Sequence, residues 1–380
     1  MPDVLIFGDT VRLPELRHQV PLSIVDPFFY VERDGKQTVL IGAMEWPRIR
    51  EVAPHLELTA PEELGSDELV AGGIGSYHEL QRELALRACR KLGVESATVP
   101  HTFPLDLGDF LRASGVELNP DHDFFEERRR VKNEAELAGI RRAQKAADAG
   151  MGAAAALLRA AKPNGGGLEL GGEPLTVERV KRAIGDAFAD HDCVADEFIV
   201  SHGPQSAIGH HMGEGAIQAN EPIVIDIWPQ DPSSSCFADM TRTFVVGEPS
   251  EELREWHRVC KEALDRSFEQ VRAGASGRAI YASVCELVQE NGYPTALSKN
   301  PGEVLEDGFF HALGHGVGLE VHEAPALSRL ETSPLVAGDV VTLEPGLYRP
   351  GYGGCRLEDL VLVTEDGAER LTDFPYGLAP

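Results

Sequence analysis

The stretch His311-Ala-Leu-Gly-His315-Gly-Val-Gly-Leu-Glu-Val-His322-Glu323 decides how the chain is read. Three histidines share it with glycines at 314, 316 and 318. Each glycine costs a helix interior about 1 kcal/mol relative to alanine, so a cluster of them predicts strand and tight loop rather than helix. His315 and His322 are an odd number of residues apart, which in a plain strand sends them to opposite faces. A bulge or turn at the glycines is needed to bring them together. A lone histidine in such a place is usually structural; the acids on either side change the weighing.

Upstream stand Ile-Val-Ile-Asp226 and Phe-Ala-Asp239-Met-Thr-Arg-Thr-Phe-Val-Val. Downstream stand Val-Val-Thr-Leu-Glu344-Pro-Gly and Arg356-Leu-Glu358-Asp-Leu-Val-Leu-Val. Each carboxylate adjoins an apolar, β-branched run of the kind that forms a buried strand. An ionised carboxylate there is costly unless it is paired or binds a metal. Four acids with one histidine suit two divalent cations better than one. An oxygen-rich set with a single imidazole admits manganese, cobalt, iron or zinc without choosing among them.

These signatures, in the order Asp226, Asp239, His315, Glu344, Glu358, resemble the pita-bread metallopeptidases, and within them the aminopeptidase P and prolidase branch. The resemblance runs motif by motif from about 200 to 366 and more loosely over the whole chain. It implies an α/β (α+β) protein with a small N-terminal creatinase/prolidase-like α/β domain over 1–120 and a pita-bread catalytic domain over 121–380. It also implies two divalent metal ions, manganese first, with Asp226 on one ion, His315 and Glu344 on the other, and Asp239 and Glu358 bridging. A water between such ions is acidified to hydroxide near neutral pH and attacks the Xaa-Pro amide at the N-terminus of a peptide or in a dipeptide. Glu344 would also move the proton to the leaving nitrogen. His210 and His322 would touch substrate and steady the tetrahedral intermediate, His311 would face the leaving group, and Arg356 would anchor a carboxylate or support Glu358. A homodimer is the family-like assembly.

Two features depart from the family's pattern. Trp228, in Asp226-Ile-Trp-Pro-Gln, stands where the family usually has glycine, and either narrows the pocket or offers a stacking wall. The interval from Asp226 to Asp239 is two residues longer than usual, an insertion that a connecting loop tolerates. Two rival readings remain. One is a same-fold hydrolase of another small amide or C–N substrate, as in creatinases, which lack the full ligand set. The other is a non-catalytic peptide-binding pseudopeptidase, which loss of ligands would mark. All five ligands are present here.

Composition is consistent with this reading. A chain of 380 residues is comfortable for two domains, and 42% hydrophobic and 26% charged residues are ordinary for a globular protein. The net charge of −27 repels nucleic acid and anionic membranes. Six cysteines are scattered without a CxxC pair, which predicts reduced, buried thiols in the cytoplasm rather than a zinc ribbon or disulfide framework. The beginning of the chain lacks the pattern of a signal peptide, and no run of eighteen apolar residues predicts a membrane span.

Along the chain, strands are expected at 3–7, 28–31 and 97–99, with Asp34-Gly35 as a tight hairpin turn and a helix at about 78–92. The polar stretch from Leu118 marks a boundary. Arg128, Arg129, Arg130 and Lys132 read as the solvated start of a long helix, because neighbouring acids nearly cancel their charge. The glycine-rich 164–173 lacks the Gly-Lys-Ser/Thr of a phosphate loop and reads as a flexible surface insertion. Helices follow from Thr176, from Ser250 and over about 278–291.

Overall fold

A computed structural model describes residues 2–380. The chain forms two compact units, the first ending at Arg129 and the second running from Arg130 to Pro380.

The first unit is built on one six-stranded sheet, ordered Glu57–Thr59, Lys36–Leu40, Phe28–Arg33, Val4–Gly8, Ser96–Val99, Glu117–Pro120. Side chains alternate across it with the period of two that strands impose. Leu5, Phe29 and Val31 face a core closed by the helices Tyr77–Leu92 and Leu105–Ala113, while Val4, Ile6 and Tyr30 face another that includes Leu16, Ile49 and Phe125. Asp34 and Gly35 make the expected hairpin turn, with φ of 50° and 75°, the left-handed pair that suits strand twist.

In the second unit, two helix pairs cover two cores. Glu134–Ala160 packs on Val177–Asp190 over one, and Glu251–Gln270 packs on Gly277–Glu290 over the other. The first pair approaches closely because Gly150 has no side chain; a Cβ there would lie 2.6 Å from Phe188 Cε1. A three-stranded sheet holds Ile223–Ile227 between Ile199–His202 and Met240–Phe244, all antiparallel. A five-stranded sheet runs Glu323–Leu327, Gly314–Gly316, Val340–Leu343, Asp359–Val363, Ala368–Arg370. It separates the two cores, since Val340 and Leu360 face one and Val341, Leu343 and Val361 the other. No helix among the described residues is long and apolar enough to cross a membrane.

Two expectations need correction. Arg130 and Lys132 are not a solvated helix start. Asn133 caps a new helix at Glu134, and the two cations just before it are buried. Arg130 forms a two-pronged pair with Asp339 at 3.0 and 2.7 Å, and Lys132 pairs with Glu323. A buried charge must be paired, and these pairs bind the junction to the five-stranded sheet. The glycine-rich stretch lies at the surface as expected but has regular structure. It is a three-stranded meander, Lys162–Asn164, Gly167–Leu170 and Glu173–Pro174, whose two turns are Gly165-Gly166 and Gly171-Gly172 at positive φ.

Candidate active site

The three-stranded sheet supplies the first two acids. Asp226 sits next to last in Ile223–Ile227, opposite Ile199 on one side and Thr241 on the other, with apolar neighbours buried on both faces. The chain then leaves the sheet through Trp228-Pro229 into a small hairpin, Gln230–Asp231 with Cys236–Phe237, and returns at Asp239. The longer interval between the two acids therefore folds as a hairpin. Asp231 closes its turn by accepting from the backbone N–H and hydroxyl of both Ser233 and Ser234.

The five-stranded sheet supplies the rest. His315 is the middle residue of Gly314–Gly316, and the pairing with Glu323–Leu327 slips between Gly314 and Gly316. That bulge brings the His322 ring to 4.2 Å from the His315 ring, resolving the odd spacing. Gly314 is obligatory, since a Cβ would lie 2.0 Å from Thr342 O. Glu344 follows Val340–Leu343, its N–H donating to Leu313 O at 2.8 Å. Glu358 lies between Gly353–Arg356 and Asp359–Val363, with its N–H on Thr241 O at 3.0 Å.

These segments converge on one cleft of about 890 Å³. Asp226, Asp239, His315, Glu344, Glu358, His210, His311, His322, Arg356 and Trp228 all line it. One donor atom each from Asp239, His315 and Glu358 lies within 4.8 Å of the others. His315 Nε2 is 3.7 Å from Asp239 Oδ2 and 3.6 Å from Glu344 Oε1, too far for hydrogen bonds. Its Nδ1, 3.1 Å from Gly316 O, donates there, which turns the Nε2 lone pair toward the acids. Asp226 is held differently, paired with Arg356 Nη2. His210 and His322 are exposed at the mouth, whereas His211 turns away to accept from the Gly213 N–H at 3.0 Å. His202 ends the strand Ile199–His202 outside the cleft lining; its side chain is 11% exposed and faces Glu221 at 3.4 Å.

The acids crowd one another. Burial, then Glu358, Asp226 and Glu344, push the Asp239 carboxyl well above the ordinary range. Burial with Glu344 and Asp226 does the same to Glu358, and burial pushes Glu344 up to about 7. The histidines move the other way, with burial lowering His315 to about 3 and His311 to about 4, so both are neutral imidazoles. Among the described residues lining the cleft, Arg356 is the only arginine or lysine. Asp239 Oδ1 is buried without a hydrogen-bond partner. Four acids, one neutral imidazole and an orphaned carboxylate oxygen are the donor set that oxygen-seeking divalent cations require, so these residues fit bound metal.

Thr241 and Tyr348 were not singled out from the sequence. Thr241 Oγ1 donates to Glu358 Oε2 at 2.7 Å and accepts from Arg356 Nε at 3.2 Å. It follows Asp239 by two, the strand period, so alternation alone could have placed it on the same face. Tyr348 Oη lies 3.0 Å from Arg356 Nη1 and 3.1 Å from His311 Nε2. No local pattern marks it, because its partners come from other segments.

The family model of metallopeptidase family M24 matches residues 138–365, more than half of the chain and every acid above. The chain belongs to family M24. Among relatives of this M24 chain, the Xaa-Pro dipeptidase of Pyrococcus horikoshii is 31% identical over 289 residues, 76% of this chain and 74% of the relative. The Xaa-Pro dipeptidase of Pyrococcus furiosus is 38% identical over 179 residues, 47% of each chain, so that match spans about half of the relative. The solved Xaa-Pro dipeptidase from Bacillus anthracis has the same fold, with a TM-score of 0.79 at 23% identity over 99% of this chain and 94% of that one. The M24 pita-bread fold expected from the motifs is therefore the fold observed.

Proposed function

We propose that this chain is a dinuclear metallopeptidase that removes the residue before proline from a peptide or dipeptide. The observation that carries the reading is the convergence of Asp226, Asp239, His315, Glu344 and Glu358 on one cleft, with Asp239 Oδ1 left without a protein partner. The names of the Pyrococcus relatives supply the proline preference.

In this reading Asp226, Asp239, His315, Glu344 and Glu358 would hold two ions, Asp226 serving one, His315 and Glu344 the other, and Asp239 and Glu358 both. Manganese is the favoured metal for such an oxygen-rich set. Bound divalent ions would supply Lewis acidity to polarise the scissile carbonyl and make a water acidic near neutral pH. The chain's own groups do the rest. Glu344 lies near both His315 and His311, at 3.6 and 3.9 Å, and is the group placed to carry a proton toward the leaving nitrogen. His210 and His322 line the mouth and would donate to the carbonyl oxygen as charge develops on it. Arg356 fixes Asp226 and, through Thr241, the position of Glu358. Trp228, on the same strand face as Asp226, gives the cleft a flat apolar wall suited to a prolyl ring. Six free, buried cysteines support a reducing, cytoplasmic setting, and a homodimer completes the reading.

The test is hydrolysis of Ala-Pro and Ala-Pro-Leu by metal-stripped protein, before and after adding manganese, cobalt or zinc. Cleavage restored by metal supports the reading. Metal binding without cleavage of either peptide would overturn the proline preference, and absence of metal binding would overturn the site.

A further inference from the structure

The catalytic cleft adjoins a second cavity of about 360 Å³, because Phe310, His311, Ala312 and Ser328 line both. The two spaces have opposite chemistry. Four carboxylates crowd the cleft around one arginine, whereas Lys299 and Arg329 face the second cavity. Glu303 also lines it, but one of its carboxylate oxygens accepts from the N–H and side-chain amide of Asn300, at 2.8 and 3.2 Å. Lys299 Nζ donates to the backbone oxygen of Glu303 at 2.6 Å. Among the described residues neither Lys299 nor Arg329 has a carboxylate within ion-pair distance. In a chain with 62 acids against 35 basic residues, two cations without an acid partner in one cavity are an unusual expense. Two more of the residues lining it are apolar yet stand in solvent, with Val304 80% and Leu330 77% exposed.

Cations set beside exposed apolar side chains match the last residue of a peptide, which carries a carboxylate and a side chain together. The cavity also lies on the correct side. His311 belongs to both spaces and faces the leaving group in the peptidase reading, on which this inference rests. Whatever follows the proline must leave past it. We propose that this cavity binds the residue after proline in a tripeptide, its carboxylate at Lys299 and Arg329 and an apolar side chain against Val304 and Leu330. The chain would then prefer Xaa-Pro-Yaa tripeptides with a free C-terminus over Xaa-Pro dipeptides.

The test uses the whole protein and two readouts. The first is kcat/KM for Ala-Pro-Leu, its C-terminal amide and Ala-Pro, with wild type and the double variant Lys299→Gln, Arg329→Gln. Arg329 is exposed and Lys299 is partly exposed, so the fold should survive. Wild type should favour the free acid over the amide by roughly tenfold, the scale of a charge-assisted contact, and the double variant should lose that preference. The second is calorimetric binding of the product-like dipeptides Pro-Leu and Pro-Leu amide, which requires no turnover. Tighter binding of the acid by wild type, lost in the double variant, supports the subsite even if no peptide is cut; the peptidase reading alone would then fall. Equal binding of acid and amide by wild type, or an acid preference that persists in the double variant, would overturn the subsite whatever the protein hydrolyses.

Discussion

Tyr348 Oη stands 3.1 Å from His311 Nε2, and this contact fixes which ring nitrogen of His311 carries the proton at the wall of the cleft. His311 Nδ1 is 2.7 Å from Ala312 O and donates there, so Nε2 must accept, and the tyrosine hydroxyl supplies the proton. The same oxygen accepts from Arg356 Nη1 at 3.0 Å. Tyr348→Phe leaves both partners unsatisfied while keeping the ring that packs on Phe310. We expect kcat to fall by about a hundredfold, with metal content unchanged. Steady-state kinetics beside metal analysis checks this, and a kcat within twofold of wild type would remove Tyr348 from the machinery.

The crowding around Asp239 makes a prediction about stability without metal. Asp239→Asn keeps the size and shape of the side chain but removes one charge from the acid cluster. Metal-free variant should therefore melt above metal-free wild type. Wild type should gain stability from added ions, about 2.7 kcal/mol when free ion is a hundred times its dissociation constant, and the variant should gain little. Calorimetry with and without manganese reads both effects; an equal metal-induced rise in Tm in the two proteins refutes the bridging role of Asp239.

Asp148, on the helix Glu134–Ala160, carries a pH signal away from the metal cluster. Burial raises its carboxyl from 3.8 to about 6, helped by Asp373 and opposed by Gln144, the Asp373 N–H and Arg242. Its folded value lies above its unfolded one, so the fold favours the protonated form. That relative stability is complete below about 4 and is lost as pH rises through 6. Asp148→Asn removes the titration and can keep the Gln144 contact at 3.0 Å. The variant should match wild type near pH 4 and exceed it near pH 8, by at most about 3 kcal/mol and by less in practice because the group is only half-buried. Thermal melts across that range check it; a difference independent of pH would refute it.

The acids and His315 were legible in the sequence because each stands beside a β-branched run whose burial makes a free charge costly. Local chemistry announces them. Arg130 and Lys132 were misread because their neighbours are acidic, whereas their partners Asp339 and Glu323 lie 209 and 191 residues away. Local charge balance carries no information about such pairs. Tyr348 escaped for the same reason, since its role comes from His311 and Arg356 on separate segments. The meander at 162–174 was missed because Gly-Gly pairs signal flexibility and tight turns equally, and only strand pairing distinguishes them.

The acids of the cleft span residues 226 to 358 and come from two different sheets. In a zinc finger the ligands lie close together in sequence, and the ion can gather a short chain into its fold. Here Asp226 lies within a strand of one sheet, and Glu344 and Glu358 flank strands of another, so strand pairing places them. We expect both sheets to form first and metal to bind the folded chain. Cations would then lock a finished fold instead of gathering one, so chelation should return the protein to a folded, vacant state and not to a random coil.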